Sequence, residues 1–505
     1  MNTEEITKLV TFIEENLRAS PLAGLSFVDH RHHRTRLLSG QNHVVFGRRG
    51  AGKTTLVNAT TEDENQLNIY LNLEDFKDIT FPNIVIHILI ELFSKLKDKI
   101  KISWPWYKLN YSAWKLNKTI GSTCELLEKY LYEPDVETQA ISESEAYQEE
   151  LSLGLNSYGT SGGAKTKKDK AREIKRNLPK SKIDYLKLNL VKYKDIILSV
   201  SKLFDQRSIF LIFDDFYFVL KSIQPDLIDY FHRLTKGTSL FIKMATIKNR
   251  SKLYRRTNEQ YVGVELGHDI FEVNMDYTLD DFEDLQNFMQ QLLESAIKKS
   301  QANLNFDDLF AGDGFSQLCL SSGGVPRDFL SLFATLANKS ATTSQPIGKV
   351  QVTEAAIANI SSKFDSMKLD SGDEDAVLEE YLRRIKSAIY DDKRTNAFLV
   401  AKDDLDQDPQ SRQAIRELVD LRLLHLIDQN ISKAPSDGRR YEAYILDIGL
   451  YDNARPRNFT QIEPGYRDEK ARKDDLRASP LLNLRKLREP VESKSDQLML
   501  GLSYE

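Results

Sequence analysis

The chain has 505 residues, 41% hydrophobic and 29% charged, the balance of a folded globular protein and not of a disordered one. Lys plus Arg number 70 and Asp plus Glu 75, a net charge of −5, which excludes a uniformly basic coat protein for nucleic acid but leaves local basic patches open. The two cysteines, Cys124 and Cys319, build neither a disulfide framework nor a Cys-rich zinc site. No apolar run reaches the ~18 residues of a spanning helix, and the acidic, amphipathic first segment is wrong for a signal peptide. A cytoplasmic protein with no membrane partner and about two to four domains is expected.

In chain order, Ile6, Leu9, Val10, Phe12, Ile13 and Leu17 fall at helical spacing, and a breaker follows, so residues 1–25 are read as a helix and linker. Residues 26–278 read as an α/β unit. Its strand candidates are 43–46, 67–73, 208–213, 240–246 and 271–275, with helices at 82–97, 183–204 and 225–235. An insertion interrupts it at about 100–182. This begins with Trp104, Trp106, Tyr107, Tyr111 and Trp114, continues through residues 133–150 with seven acids and no Lys or Arg, and ends in a Gly/Ser stretch and a basic run, 164–182. That run reads as a solvated linker, a nucleic-acid-binding loop, or a dock for the acidic stretch. Residues 279–366 are helical throughout, a separate bundle. Residues 374–452 give helix, strand, helix and a two-stranded hairpin around a polar loop, the plan of a winged helix, and 453–505 read as a polar tail. One repeat stands out: Leu-Arg-Ala-Ser-Pro-Leu occurs at 17–22 and again at 476–481. It is either one turn used twice or a docking motif displayed at both ends.

Gly47-Arg48-Arg49-Gly50-Ala51-Gly52-Lys53-Thr54 is a complete G-x-x-x-x-G-K-[ST] loop between a strand and a helix. Its glycines let backbone N–H groups close around phosphate oxygens, and the helix N-terminus adds partial positive charge. Gly47, Gly50, Ala51, Gly52, Lys53, Thr54 and Thr55 are the expected phosphate site for ATP, with Lys53 on the β and γ phosphates and Thr54 on Mg²⁺. The apolar strand 208–213 runs into Asp214-Asp215. Asp214 would hold the magnesium and Asp215 polarise the attacking water. The next strand ends in Thr246-Ile247-Lys248-Asn249, where Thr246 or Asn249 could touch the γ phosphate. Arg255 or Arg256 could reach a neighbouring subunit as an arginine finger, a surface arginine being the bland alternative. His32 and His33 lack metal-ligand spacing and read as surface residues.

The ordered set, a P-loop, an Asp-Asp strand end, a polar strand end, Gly323-Gly324-Val325-Pro326-Arg327 opening a helix, then a winged helix, resembles the AAA+ ATPases of the origin-recognition initiator type. It is also similar to STAND signalling ATPases. The resemblance covers about 25–100 and 185–450 and implies a parallel-sheet P-loop domain, a helical lid and a C-terminal winged helix. It also implies that Arg327 reaches the γ phosphate as the second sensor, and that the adenine pocket falls near Phe27-Val28-Asp29-His30-Arg31. Initiators usually have Asp-Glu where this chain has Asp214-Asp215, which is common among STAND proteins.

Two functions follow. In the first, an ATP/ADP switch with hydrolysis oligomerises and binds double-stranded DNA, Arg412, Gln413 and Arg416 entering the major groove while Lys433, Arg439 and Arg440 of the wing reach a phosphate or the minor groove. Glu417, Asp420 and the acidic 403–408 segment oppose this reading. In the second, a STAND-like ATPase regulates a separate effector without DNA. Either fits a homo-oligomer or a hetero-complex, as the ATPase of a bacterial defence or DNA-maintenance module.

Overall fold

The computed structural model describes residues 3–17, 27–63, 65–100, 111–132, 182–256, 261–371, 375–452, 456–465 and 473–487. Trp104, Trp106 and Tyr107, the acidic and Gly/Ser stretches, the basic run up to residue 181 and the first repeat beyond Leu17 lie outside them.

The central sheet has five parallel strands in the order β2-β3-β4-β1-β7: β1 His43–Phe46, β2 Leu67–Asn72, β3 Ile209–Asp214, β4 Leu240–Thr246 and β7 Phe271–Asn274. This is the α/β class the sequence predicts. Strand β3 is apolar without alternation because both its faces are covered. Leu211 and Phe213 face a core shared with the helices Asn83–Lys99 and Lys182–Leu203, while Phe210 and Ile212 meet Leu56 and Val57 of the P-loop helix, Lys53–Thr61. The helix Asn83–Lys99 buries Ile84, Val85, Ile86, Ile88, Leu89, Leu92, Phe93 and Leu96, at roughly 2 kcal/mol per side chain. The described part of the insertion, the helix Tyr111–Tyr132, packs on it. Because the strands are parallel and in register, with Phe46 beside Thr246 and Asn72 beside Asp214, their C-terminal ends bring Gly47, Asp214 and Thr246 to one edge of the sheet. A short hairpin, β5 Tyr254–Arg256 with β6 Tyr261–Gly263, was not legible in the sequence, since three residues are too few to show a period.

The lid contains the helices Phe282–Lys299, Gly314–Ser321, Pro326–Thr343 and Lys349–Ala358. The first helix of the chain, Thr3–Asn16, expected to stand before the ATPase unit, packs on Pro326–Thr343 and buries Ile6, Leu9, Val10 and Ile13 in the lid's core. The C-terminal unit has an antiparallel sheet β8-β10-β9 (β8 Ala397–Ala401, β9 Leu424–Ile431, β10 Tyr441–Leu446) and the helices Asp375–Lys386 and Pro409–Asp420. Part of the expected polar tail belongs to this unit. Leu476, Leu482, Leu484 and Leu487 are buried, and Leu481 bridges to Leu399 of β8. Spaced leucines in a charged stretch hide this contribution from a composition reading.

The lid and the C-terminal unit meet at a polar junction. Arg422 donates to Asp328 Oδ1 at 2.6 Å, and Asp447 Oδ2 faces both Lys363 Nζ at 2.6 Å and His425 Nε2 at 2.8 Å. His425 lies against Gly323, whose φ is +56° and where a Cβ would sit 2.0 Å from the imidazole Cε1. Gly323→Ala should therefore lower stability by about 2–4 kcal/mol, from left-handed backbone and overpacking together. A thermal melt no lower than that of the wild type would show that the junction can open at no cost.

Candidate nucleotide site

The P-loop connects β1 to its helix through two glycines in left-handed conformations, Gly50 at φ +85° and Gly52 at φ +91°. Gly52 caps the P-loop helix with no side-chain acceptor, so the first helical N–H groups stay open to a ligand. The segment after β7 fastens the loop from the side: Arg48 N–H donates to Asp276 Oδ1 at 2.8 Å and its guanidinium to Tyr277 O at 2.9 Å. Lys53 is 6% exposed, and its ammonium donates to Gly47 O at 2.9 Å and Arg48 O at 3.2 Å. Burial pushes its pKa down, against the pull of Asp215, Asp276 and Asp214. A desolvated ammonium satisfied only by carbonyls fits an anion, and the donor set suits phosphate.

A cleft of about 450 Å³ opens on this loop. Gly50, Ala51, Gly52, Lys53, Thr54 and Thr55 line it, with Arg49, Glu74, Asp215 and, from the lid, Pro326, Arg327 and Leu330. Gly47 sits under the loop, where a Cβ would lie 3.1–3.3 Å from Ala51, Lys53 and Met275. Arg327 N–H donates to Gly50 O at 3.3 Å, and a Cβ on Gly50 would come within 2.9 Å of Arg327 Cβ, so the lid helix begins directly on the P-loop. Burial and the neighbouring Arg49 push the Arg327 pKa down, a cation without a full complement of counter-charge.

The two carboxylates after β3 differ. Asp214 is 1% exposed and accepts from the Tyr70 hydroxyl at 2.9 Å and from the N–H of Asp215 at 3.0 Å. Asp215 takes a left-handed turn, φ +52°, and faces the cleft. Burial, then the Asp214 charge, push its pKa up to about 6. Mg²⁺ chemistry fits this pair and the Thr54 hydroxyl, because the ion's remaining ligands come from phosphate and water. Among the described residues no cluster of three or more His, Cys, Asp or Glu could hold a metal without such help.

The cleft also has an apolar lining, made by Phe27, Val28, Met275, Tyr277, Phe288 and Leu292. Tyr277 stacks on Phe288 with ring centroids 4.1 Å apart, and the Arg31 guanidinium lies 4.0 Å from the Tyr277 ring centre, held by Asp284 at 2.6 Å. His33, expected at the surface, is 8% exposed, lines the cleft and keeps both ring nitrogens unpartnered. Its four-residue spacing from buried Leu37 puts both on one face of a helical turn, the signal that could have placed it inside. Tyr277 and Phe288 were not singled out from the sequence, where they look like ordinary core residues.

The remaining candidates do not converge on the cleft. Thr246 is fully buried and bonded to Ser251 Oγ. Asn249 turns away and donates to Asp420 Oδ1 of the C-terminal unit at 3.3 Å. Arg255 is paired twice with Asp226, at 2.7 and 2.8 Å, and Arg256 is exposed. On the helix Pro409–Asp420, Gln413 Nε2 reaches Asn249 O at 3.4 Å, Arg416 pairs with Glu442, and Arg412 pairs with Asp406 at 2.8 Å. Arg439 is held by Asp403 and Asp404, Arg440 is exposed and donates to Asn430 O at 3.4 Å, and Lys433 is half-buried. The helix expected to face a DNA groove thus rests on the loop after β4. Asp420, buried there near Asp276, has its pKa pushed up to about 7.

No family model matches the chain, and no curated protein matches it. Among solved structures it is similar to Drosophila ORC bound to DNA (11% identity, 87% of this chain and 89% of that one, TM-score 0.34) and to Aeropyrum pernix ORC1 in complex with DNA (12%, 85% and 91%, 0.34). A third is the Walker-type ATPase PABY2304 of Pyrococcus abyssi (12%, 88% and 92%, 0.34). At this identity and TM-score the likeness does not extend to what those proteins bind.

A raised carboxylate pKa is a stability cost. Asp215 titrates near 6 in the fold and near ~3.9 in the unfolded chain. The fold therefore loses stability as pH rises from about 4 through 6, and the cost stays in full above that. Asp215→Asn should raise ligand-free stability by about 1–2 kcal/mol near pH 8 and by almost nothing near pH 4. Melting curves at the two pH values check it; an equal effect at both would remove the charge argument.

Proposed function

We propose that this protein is a Mg²⁺-dependent ATP-binding and ATP-hydrolysing switch. The carrying observation is the convergence of Lys53, Thr54, Asp215 and the lid residue Arg327 on one cleft that aromatic side chains also line. Lys53 and the open N–H groups of the loop bind phosphate, Thr54 and Asp214 hold the ion, and Asp215 orients and deprotonates the water. The stacked Tyr277–Phe288 pair and Phe27 supply flat apolar surface for a base. Arg327 joins γ phosphate to lid, so lid angle depends on whether that phosphate is present. Calorimetric titration tests this. Lys53→Ala should abolish binding of ATP and ADP alike, whereas Arg327→Ala should weaken ATP about ten-fold or more and leave ADP nearly unchanged. An unchanged ATP-to-ADP ratio would defeat the switch.

What the switch controls turns on the C-terminal unit. Its docking on the loop after β4, through Gln413, Asn249 and Asp420, supports a signalling-type ATPase holding this unit closed and governing assembly or an effector. Double-stranded DNA is a partner on this reading through the wing, by Arg440 and Lys433, or through Arg412, Gln413 and Arg416 once that contact has opened. In a homo-oligomer, Arg256 is the finger candidate free of the Asp226 pairing. Arg416 separates the two readings. As an ion-pair partner of buried Glu442, its replacement by Ala should cost about 3 kcal/mol of stability. As a DNA contact, the same change should lower the log-salt slope of binding by about one. Melts and filter binding on Arg416→Ala, with Arg440→Ala alongside, read both.

A further inference from the structure

The hexapeptide Leu-Arg-Ala-Ser-Pro-Leu occurs twice, and the structure shows what its second copy does. Strand β8 is at the edge of the C-terminal sheet, where unpaired N–H and C=O groups invite another strand. The second copy covers it. Leu399 N–H donates to Pro480 O at 2.8 Å and Leu482 N–H to Leu399 O at 2.9 Å, with Leu481 beside Leu399 in a parallel bridge. On its other side Ala434 N–H donates to Arg477 O at 2.9 Å, and Arg477 Nε donates to Ser432 O at 3.1 Å. Leu476, Ser479, Leu482 and Leu484 are each 5% exposed or less.

Nearly every position that makes these contacts recurs in the first copy. Leu17, Arg18, Ser20, Pro21 and Leu25 stand where Leu476, Arg477, Ser479, Pro480 and Leu484 stand; only Ala23 replaces a buried residue, Leu482. A shared turn would account for Ser-Pro. It would not account for the arginine, which in the second copy donates to Ser432 O, or for the leucines at the first and ninth places, which are buried there.

We infer that the β8 edge, with the backbone of Ser432 and Ala434, is a binding site for this motif, and that its second ligand is the segment 17–25 of another copy of this chain. Each chain has one such edge and two motifs. The edge is filled by a segment of the same chain, while the first copy follows the buried helix Thr3–Asn16 of the lid, and its first residue, Leu17, lines the cleft. On this inference segment 17–25 exchanges with the resident segment at the matching edge of a second molecule. This is strand addition with exchange, and because motif and edge are different surfaces, the contact is head-to-tail. Ala23 in place of Leu482 makes the incoming copy the weaker ligand, so the exchange is reversible and grows with concentration.

The test uses a fluorescent peptide of residues 17–25, the full chain without nucleotide, and hydrogen exchange. Binding should be saturable, should speed exchange at the Leu482 amide and should leave Leu399 protected. Leu482→Ala, which loosens the resident segment, should tighten peptide binding about ten-fold. Arg18→Glu should weaken the concentration-dependent rise in sedimenting mass roughly ten-fold. The inference is overturned if the peptide binds neither form, if it binds without changing exchange at Leu482, or if Arg18→Glu sediments as the wild type does. Should Leu482→Ala unfold, the exchange result on the wild type decides alone. None of these readouts depends on the nucleotide site.

Discussion

The whole arrangement depends on one close approach, between Gly50 of the P-loop and the first turn of the lid helix that carries Arg327. The Arg327 N–H reaches Gly50 O, and only a residue without a Cβ fits against Val325 and Arg327 at that place. Had the loop carried any side chain there, the lid would stand off and the cleft would lose one wall. Gly50 is thus a glycine for two reasons: its φ of +85°, which phosphate loops need, and the packing of a second structural unit onto the loop.

Around that contact the charges are deliberately uneven. Lys53, Arg49 and Arg327 surround the same volume as Asp215 and Glu74, and burial works against the ionised forms of Lys53, Arg327 and Asp215 alike. An ion-pair network would bring Lys53 and Asp215 into direct contact. Here Lys53 is bonded to carbonyls and Asp215 is turned into the cleft on a left-handed residue, an arrangement that makes physical sense as a receptor for a polyanion and its metal.

Much of this was legible in the sequence, for definable reasons. The P-loop is a local pattern whose spacing is its geometry, and β3 is apolar without alternation because it is central. Asp215 and Arg327, over a hundred residues apart, were placed together by their position in an ordered set of motifs, and both line the cleft. What could not be read was anything decided by packing between units. Asn249 sits at the right distance from the strand end yet spends its amide on Asp420. Arg416 has the charge and helix face of a DNA contact yet neutralises Glu442. His33 looked like a solvated neighbour of His32, and the segment 473–487 looked like tail, because burial by distant elements leaves no local period.

Arg327 and Asp328 are consecutive in one helix, so their side chains leave its axis about 100° apart. The first lines the nucleotide cleft; the second holds Arg422 of the C-terminal unit at 2.6 Å. The start of this helix therefore acts as a crank with two arms on one shaft. In the proposed switch, any rotation of the shaft that lets the guanidinium follow a departing phosphate would swing the carboxylate through the same angle, and the Arg422 junction would feel it without an intervening chain of contacts. The shaft's bearing is the packing of Pro326–Thr343 against Thr3–Asn16, so in the proposed switch that N-terminal helix sets how much of a small displacement at the cleft arrives at the C-terminal unit.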